Sequence, residues 1–129
     1  MINFKKSMKK LHSVDGYLGS AVINYMGETL YIDHKRTGVD VEYSASLFNN
    51  ALRKISKSTL DVGLSDAAFV ETRTFDGHVF LINSAGDQYE DNFSKLNVFA
   101  IFRDDGNVGL AKIVIDKTSQ RISKNIAEL

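Results

Sequence analysis

Cysteine and proline are both absent from the 129 residues. Without cysteine there is no disulfide framework and no thiolate chemistry, a pattern compatible with a reducing cytosol. Without proline, and without a Ser/Gly/Pro-rich linker or an internal repeat, nothing marks a boundary inside the chain, so one domain over residues 1–129 is expected. Charge of one sign is lacking too. Sixteen basic and sixteen acidic side chains cancel, which leaves no global field to gather nucleic acid or an acidic surface. No run approaches the roughly 18 uninterrupted apolar residues of a membrane span. Met1 to Leu11 also lacks the apolar stretch of a signal peptide. The expectation is a cytoplasmic protein with no nucleic-acid partner and no membrane insertion. What the chain does have is 43% apolar residues, enough at this length to bury a core without staples.

The organising stretch is Ala68 to Asn83, two apolar runs hinged on Asp76-Gly77. An Asp-Gly pair between such runs is a hairpin signal, because both central positions of a tight primed turn need φ > 0. A two-residue loop would set Phe75 opposite His78, Arg73 opposite Phe80 and Glu71 opposite Ile82, with Thr74/Val79 and Thr72/Leu81 on the other side. Neither face is cleanly polar. Apolar groups on both faces predict a sheet covered on both sides by helices.

Around this hairpin the rest of the chain falls into alternating elements. Asn3 caps a first helix to about Ser13 with Phe4, Met8 and Leu11 on one stripe, and Lys5, Lys6, Lys9 and Lys10 read as its solvated face. Tyr17 to Asn24 reads as a strand, Met26-Gly27-Glu28 as a turn, and Thr29 to Asp33 as the paired strand. Asp40 is placed to cap a long second helix that ends before Gly63. Its stripe is Leu47, Phe48, Ala51, Leu52 and Ile55, continuing toward Thr59 and Val62. Ser84 to Lys95, with Asp87, Glu90 and Asp91, reads as a mobile polar loop. Leu96 to Phe102 is the most apolar run and reads as a central strand buried on both faces. Asp104, Asp105 or Asn107 can cap a last helix, in which Ala111, Ile115, Thr118, Ile122 and Leu129 share a face. Ile113-Val114-Ile115 is β-branched, so local propensity would tolerate a strand there.

The motifs of catalysis are missing. No G-x-x-x-x-G-K-[ST] or G-x-G-x-x-G phosphate cradle is present. His12, His34 and His78 stand far apart without a second ligand at helical spacing, so no metal site is signalled. Ser7-Met8-Lys9-Lys10 matches S-x-x-K and Arg36-Thr37-Gly38 loosely echoes K-T-G, but no S-D-N element accompanies them and those enzymes need a larger scaffold. Asp87, Glu90 and Asp91 lack the register of a calcium loop. Asn92-Phe93-Ser94 fits a glycosylation sequon that is meaningless without secretion. No enzyme activity and no cofactor are expected.

Several short segments together resemble a known family. They are Leu11-His12-Ser13-Val14-Asp15-Gly16 leading into Gly19-Ser20-Ala21-Val22, the turn at Gly27, the Asp76-Gly77 hairpin, and Asn107-Val108-Gly109-Leu110-Ala111 at the last helix. With the element order, they are similar to the Roadblock/dynein light chain domain in its bacterial form, a relative of longin and profilin-like folds. The resemblance covers nearly the whole chain; the loop from Ser84 to Lys95 is longer than the corresponding family connection. It implies a single α/β (α+β) three-layer α/β/α sandwich with a five-stranded, mostly antiparallel sheet in the order α-β-β-α-β-β-β-α. It also implies that the region from Asn107 onward is helical.

Members of that family are non-catalytic dimers in which the second helices pack together and the first strands of the hairpins pair into one continuous sheet. Carried over, this places Ala45, Phe48, Leu52 and Ile55, with Val70, Glu71, Thr72, Arg73 and Thr74, at a two-fold interface. The implied partner is a Ras-like small GTPase whose switch loops the homodimer biases. Arg36, Arg53, Arg73 and Arg103 all read as solvated or sheet-face charges, and none is assigned as an arginine finger. Two alternatives stay open: a small-ligand sensor with a pocket lined by aromatics such as Phe75, Phe80, Phe99 and Phe102, and an adaptor subunit of a transport or motility assembly.

Overall fold

The structure is a computed structural model and describes residues 2–35, 37–85 and 95–127. In chain order its elements are α1 (Phe4–Ser7), α2 (Lys9–His12), β1 (Tyr17–Asn24), β2 (Thr29–His34), α3 (Val41–Asp61), β3 (Phe69–Arg73), β4 (His78–Ser84), β5 (Leu96–Arg103) and α4 (Val108–Ala127). The strands form one antiparallel sheet in the order β2-β1-β5-β4-β3. Helices cover both faces, as the hairpin's two-sided apolar pattern predicts.

One face carries α1, α2 and α4. Met8 and Leu11 meet Val108, Ala111, Ile115 and Ile122 over Val98, Ala100 and Phe102. The other face carries α3, whose Val41, Ala45 and Leu52 lie on Ala21, Ile23, Phe99 and Ile101. β5 is buried from Leu96 to Phe102 because its alternate side chains feed both cores. That is why this strand reads as a continuous apolar run rather than an alternating one.

Local capping follows the sequence closely. Asn3 Oδ1 accepts from the Lys6 amide at 3.1 Å, and Asp40 Oδ1 accepts from the Tyr43 amide at 3.0 Å. Of the three candidates for the last helix the chain uses Asn107, whose Oδ1 accepts from the Leu110 amide at 3.1 Å. Ile113-Val114-Ile115 is helical, since Ile115 is needed in the core and tertiary burial outweighs a weak local preference. The first helix is interrupted at Met8, which separates α1 from α2 while keeping the Met8 and Leu11 side chains buried.

The hairpin register departs from expectation by one residue. Arg73 pairs with Val79, Thr72 with Phe80, Glu71 with Leu81 and Val70 with Ile82. The loop has three residues, Phe75, Asp76 and Gly77. The Gly77 amide donates to the Thr74 carbonyl at 3.3 Å, and the Thr74 amide donates to His78 at 2.9 Å. Gly77 has φ +93°, whereas Asp76 does not have positive φ. This is a one-turn loop closed by a left-handed glycine rather than a primed turn with two such residues. The slip reassigns the faces: Val70 and Thr72 belong to the α3 side, Glu71 and Arg73 to the α4 side.

Between the hairpin and β5, the expected loop loses its first residue to β4, and its last, Lys95, stays outside β5. Ser84 closes β4 and Lys95 is buried; Asp87, Glu90, Asp91 and the sequon at 92–94 lie outside the described residues, as do Arg36 and Leu129.

Candidate partner interface

β3 stands at one end of the sheet with a single neighbour, so one row of its amides and carbonyls faces outward. The register shows which row. Thr74 and His78 form a hydrogen-bonded pair, and the Ser84 amide donates to the Ala68 carbonyl. By alternation, Val70 and Thr72 bond inward to β4, and the amides of Phe69, Glu71 and Arg73 point to the open edge.

On the α3 side this edge is thinly covered. α3 packs chiefly on β1, β2 and β5. Phe48 reaches toward β4, stacking on Phe80 with ring centres 4.8 Å apart and planes within 8°. Phe48, Phe80, Val70 and Thr72 all stay half-buried. α3 also turns an apolar row away from its own sheet: Tyr43 is 63% exposed, Leu47 48% and Ile55 40%. These recur every four or eight residues and so share one face of the helix.

Of the nine residues placed at an interface by the sequence, only some border the open face. Ala45 and Leu52 are buried against the chain's own sheet and leave almost no surface exposed. Phe48, Ile55, Val70 and Thr72 border the open face; Tyr43 and Leu47 belong with them. The sequence reading stops short of Tyr43 and draws Leu47 inward, because the helix's buried face includes the polar Asn49, which hydrophobic periodicity passes over. Thr74 lies beyond the end of β3 and serves the turn, where its hydroxyl donates to Asp76. Glu71 faces α4: Lys112 Nζ stands 2.5 Å from its Oε1 and Arg73 Nε 2.8 Å from its Oε2. Hydrogen bonding to Lys112 first, then to Arg73, holds the Glu71 carboxyl below the usual carboxylate range despite partial burial.

A second polar group, invisible in the sequence, sits on the other face near β2. The Tyr17 hydroxyl donates to Asp33 Oδ2 at 2.7 Å and lies 2.7 Å from Ser20 Oγ. His12 Nε2 stands 3.4 Å from both Ser20 Oγ and the Tyr31 hydroxyl and 3.7 Å from Asp33. Tyr17 and Ser20 share a face, though three residues apart, because Leu18 forms a bulge between Tyr17 and Gly19 against β5. The set has the composition of a hydrolytic triad but not its geometry. One imidazole nitrogen faces both the hydroxyl and the carboxylate, and Ser20 is fully buried, so no base is oriented on an accessible nucleophile. Burial pushes the Tyr17 and Tyr31 hydroxyls up in pKa, with Asp33 adding to both.

Burial also lowers the His12 pKa, outweighing the pull of Asp33, and Lys35 acts in the same direction as burial. A histidine held neutral in the fold stabilises it above its unfolded pKa of about 6.5 and loses that contribution as pH falls through this value toward the folded one. Melting temperature is therefore expected to drop between about pH 7.5 and 5.5, and His12→Gln to flatten that part of the profile. An unchanged slope in the variant would refute the assignment.

A three-layer sandwich with helices on both faces of a five-stranded antiparallel sheet, β3 at its open edge, is the Roadblock/LC7 type of fold. The chain superposes on the gliding protein MglB from Thermus thermophilus with a TM-score of 0.80, at 11% identity over 98% of this chain and 90% of that one. Myxococcus xanthus MglB gives 0.73 at 14% identity, covering 96% and 91%. A Roadblock/LC7 domain from Streptomyces avermitilis gives 0.75 at 11%, covering 95% and 97%. No protein-family model and no curated protein sequence matches the chain.

Proposed function

We propose that the protein is a non-catalytic homodimer that acts as a regulatory or scaffold platform for a Ras-like small GTPase and biases its nucleotide state. The observation that carries this reading is the continuity of the open β3 edge with the half-covered surface of Phe48, Phe80 and Val70 and the exposed row on α3. A second copy related by a two-fold axis can pair its own β3 there and lay its α3 over the bare aromatics, satisfying the backbone row and the apolar row together. The fold shared with the MglB proteins supports the same reading, as does the sequence resemblance. Among the described residues no group of histidine or acidic side chains is arranged to hold a metal, and the one hydroxyl-imidazole-carboxylate cluster lacks catalytic geometry. No described helix is long and apolar enough to cross a membrane.

The test has two parts. Light scattering on the native chain is expected to return twice the 14.4 kDa chain mass. Immobilised protein is then offered to lysate of the source organism loaded with GDP or with a non-hydrolysable GTP analogue. Enrichment of a small GTPase in one nucleotide state is expected; its absence from both lanes would overturn the GTPase assignment and leave a scaffold for another partner.

A further inference from the structure

The end of the α3 layer remote from the hairpin turn contains a cavity that the partner surface does not use. The C-terminal half of α3, the ends of β4 and β5 and the flanking residues Tyr25, Asp66, Ala67 and Lys95 border a half-open cavity of about 750 Å³, within the range of small-molecule sites. Leu52 and Ala67 give it an apolar part. Two buried polar side chains line it. Lys95 Nζ stands 2.7 Å from Asp66 Oδ2. Asn97, 4% exposed, donates through Nδ2 to Asn49 Oδ1 at 2.6 Å, and its own Oδ1 has no hydrogen-bond partner among the described residues. A buried acceptor of this kind is satisfied by a donor brought in from outside.

The charge around the cavity is one-sided. Arg53, its neighbour Lys54 and, one helical turn on, Lys57 line it from exposed positions, and Asp66 is the one acid among its described lining residues, already paired to Lys95. In a chain with no net charge, three cations at one cavity, with no free acid beside them among the described residues, are a local anion attractor. Arg53 lies over the Tyr25 ring, its guanidinium 4.7 Å from the ring centre, a pair of planar groups against which an aromatic ligand can stack.

We propose that this cavity binds a small heteroaromatic anion, whose ring stacks beside the Arg53–Tyr25 pair and donates an N–H to Asn97, and whose carboxylate or phosphate is met by Lys54 and Lys57. Calorimetric titration with orotate and with AMP distinguishes the two anionic groups; uracil, adenosine and inorganic phosphate separate the ring from the charge. Saturable binding of orotate or AMP is expected, at least roughly tenfold tighter than that of the uncharged ring and of phosphate alone. The double variant Lys54→Glu/Lys57→Glu should weaken it at least roughly tenfold, and Ala67→Leu, which fills the cavity with all charges kept, should abolish it. Circular dichroism and light scattering on the same samples, unchanged, distinguish lost binding from lost folding or lost dimer. No binding of either anion at millimolar concentration, equal binding of the uncharged ring or of phosphate alone, or binding indifferent to both variants would overturn the proposal.

Discussion

Gly106→Ala is expected to lower stability by about 2–3 kcal/mol, a loss read as a fall in the urea midpoint with unchanged slope. The turn after β5 and the turn before β1 meet there backbone to backbone. The Arg103 amide donates to the Gly16 carbonyl at 2.8 Å, and the Asn107 amide donates to the Asp15 carbonyl at 3.0 Å. A Cβ built on Gly106 would collide with the Asp15 carbonyl oxygen and stand 2.7 Å from Gly16 Cα. Neither neighbour is a side chain that can swing away, so the two turns must separate and one or both hydrogen bonds must lengthen. Asn107 caps α4, so the separation also disturbs the entry of the helix that covers the β5 face. Gly38, whose added Cβ would meet nothing within 4 Å and whose φ is not positive, is the control. Gly38→Ala should be neutral to within about 0.5 kcal/mol, and equal effects at the two glycines would refute the close-approach argument.

The same pair of turns shows how the sequence carries the fold. Leu11 to Gly16 and Asn107 to Ala111 are recognisable as family-like segments, yet the sequence does not say that they touch. Signals confined to one segment are legible: the Asp40 cap, the start of the last helix to within three candidate caps, the Phe4-Met8-Leu11 stripe and the apolar run of β5. Each is set by interactions within about four residues or by burial on both faces. What was lost depended on geometry assembled from afar. Asp76-Gly77 announces a hairpin but does not distinguish a two-residue from a three-residue loop, and that one residue reverses which side chains face α3. The α3 stripe was misplaced because Asn49, buried to meet Asn97 of β5, breaks the apolar period on the true inner face. Lys95 belongs to the loop, as the sequence reads, but its burial does not show there, since its partner Asp66 lies 29 residues away. The aromatics offered as a pocket lining do not gather: Phe75 is fully exposed at the hairpin tip, Phe102 sits in the α4-side core, and Phe80 and Phe99 stack with Phe48 on the α3 side.

The register makes the strongest test of the proposed dimer sharper than a proline placed anywhere on β3. Proline at Thr72 removes an amide that bonds inward to β4, so Thr72→Pro should damage the hairpin itself and yield aggregate or a destabilised monomer. A fully folded dimer of that variant would count against both the register and the pairing. Glu71→Pro acts differently. The Glu71 amide points to the open edge, where proline is tolerated in a free strand, so the protomer should stay folded while the edge loses a donor and gains a ring that obstructs a second β3. The two-fold axis applies the change twice. At about 1.5–3 kcal/mol for each obstructed backbone contact, the dimer should weaken by about 3–6 kcal/mol, or roughly two to four orders of magnitude in Kd. Glu71→Ala separates backbone from side chain: it breaks the contacts with Lys112 and Arg73 but keeps the amide, and should remain dimeric with a small loss of stability. Light scattering across a dilution series, with circular dichroism on the same samples, is the measurement. A folded Glu71→Pro dimer as tight as the unmodified chain would remove β3 from the interface and leave the apolar row of Tyr43, Leu47 and Ile55 on α3 as the place to look for the partner.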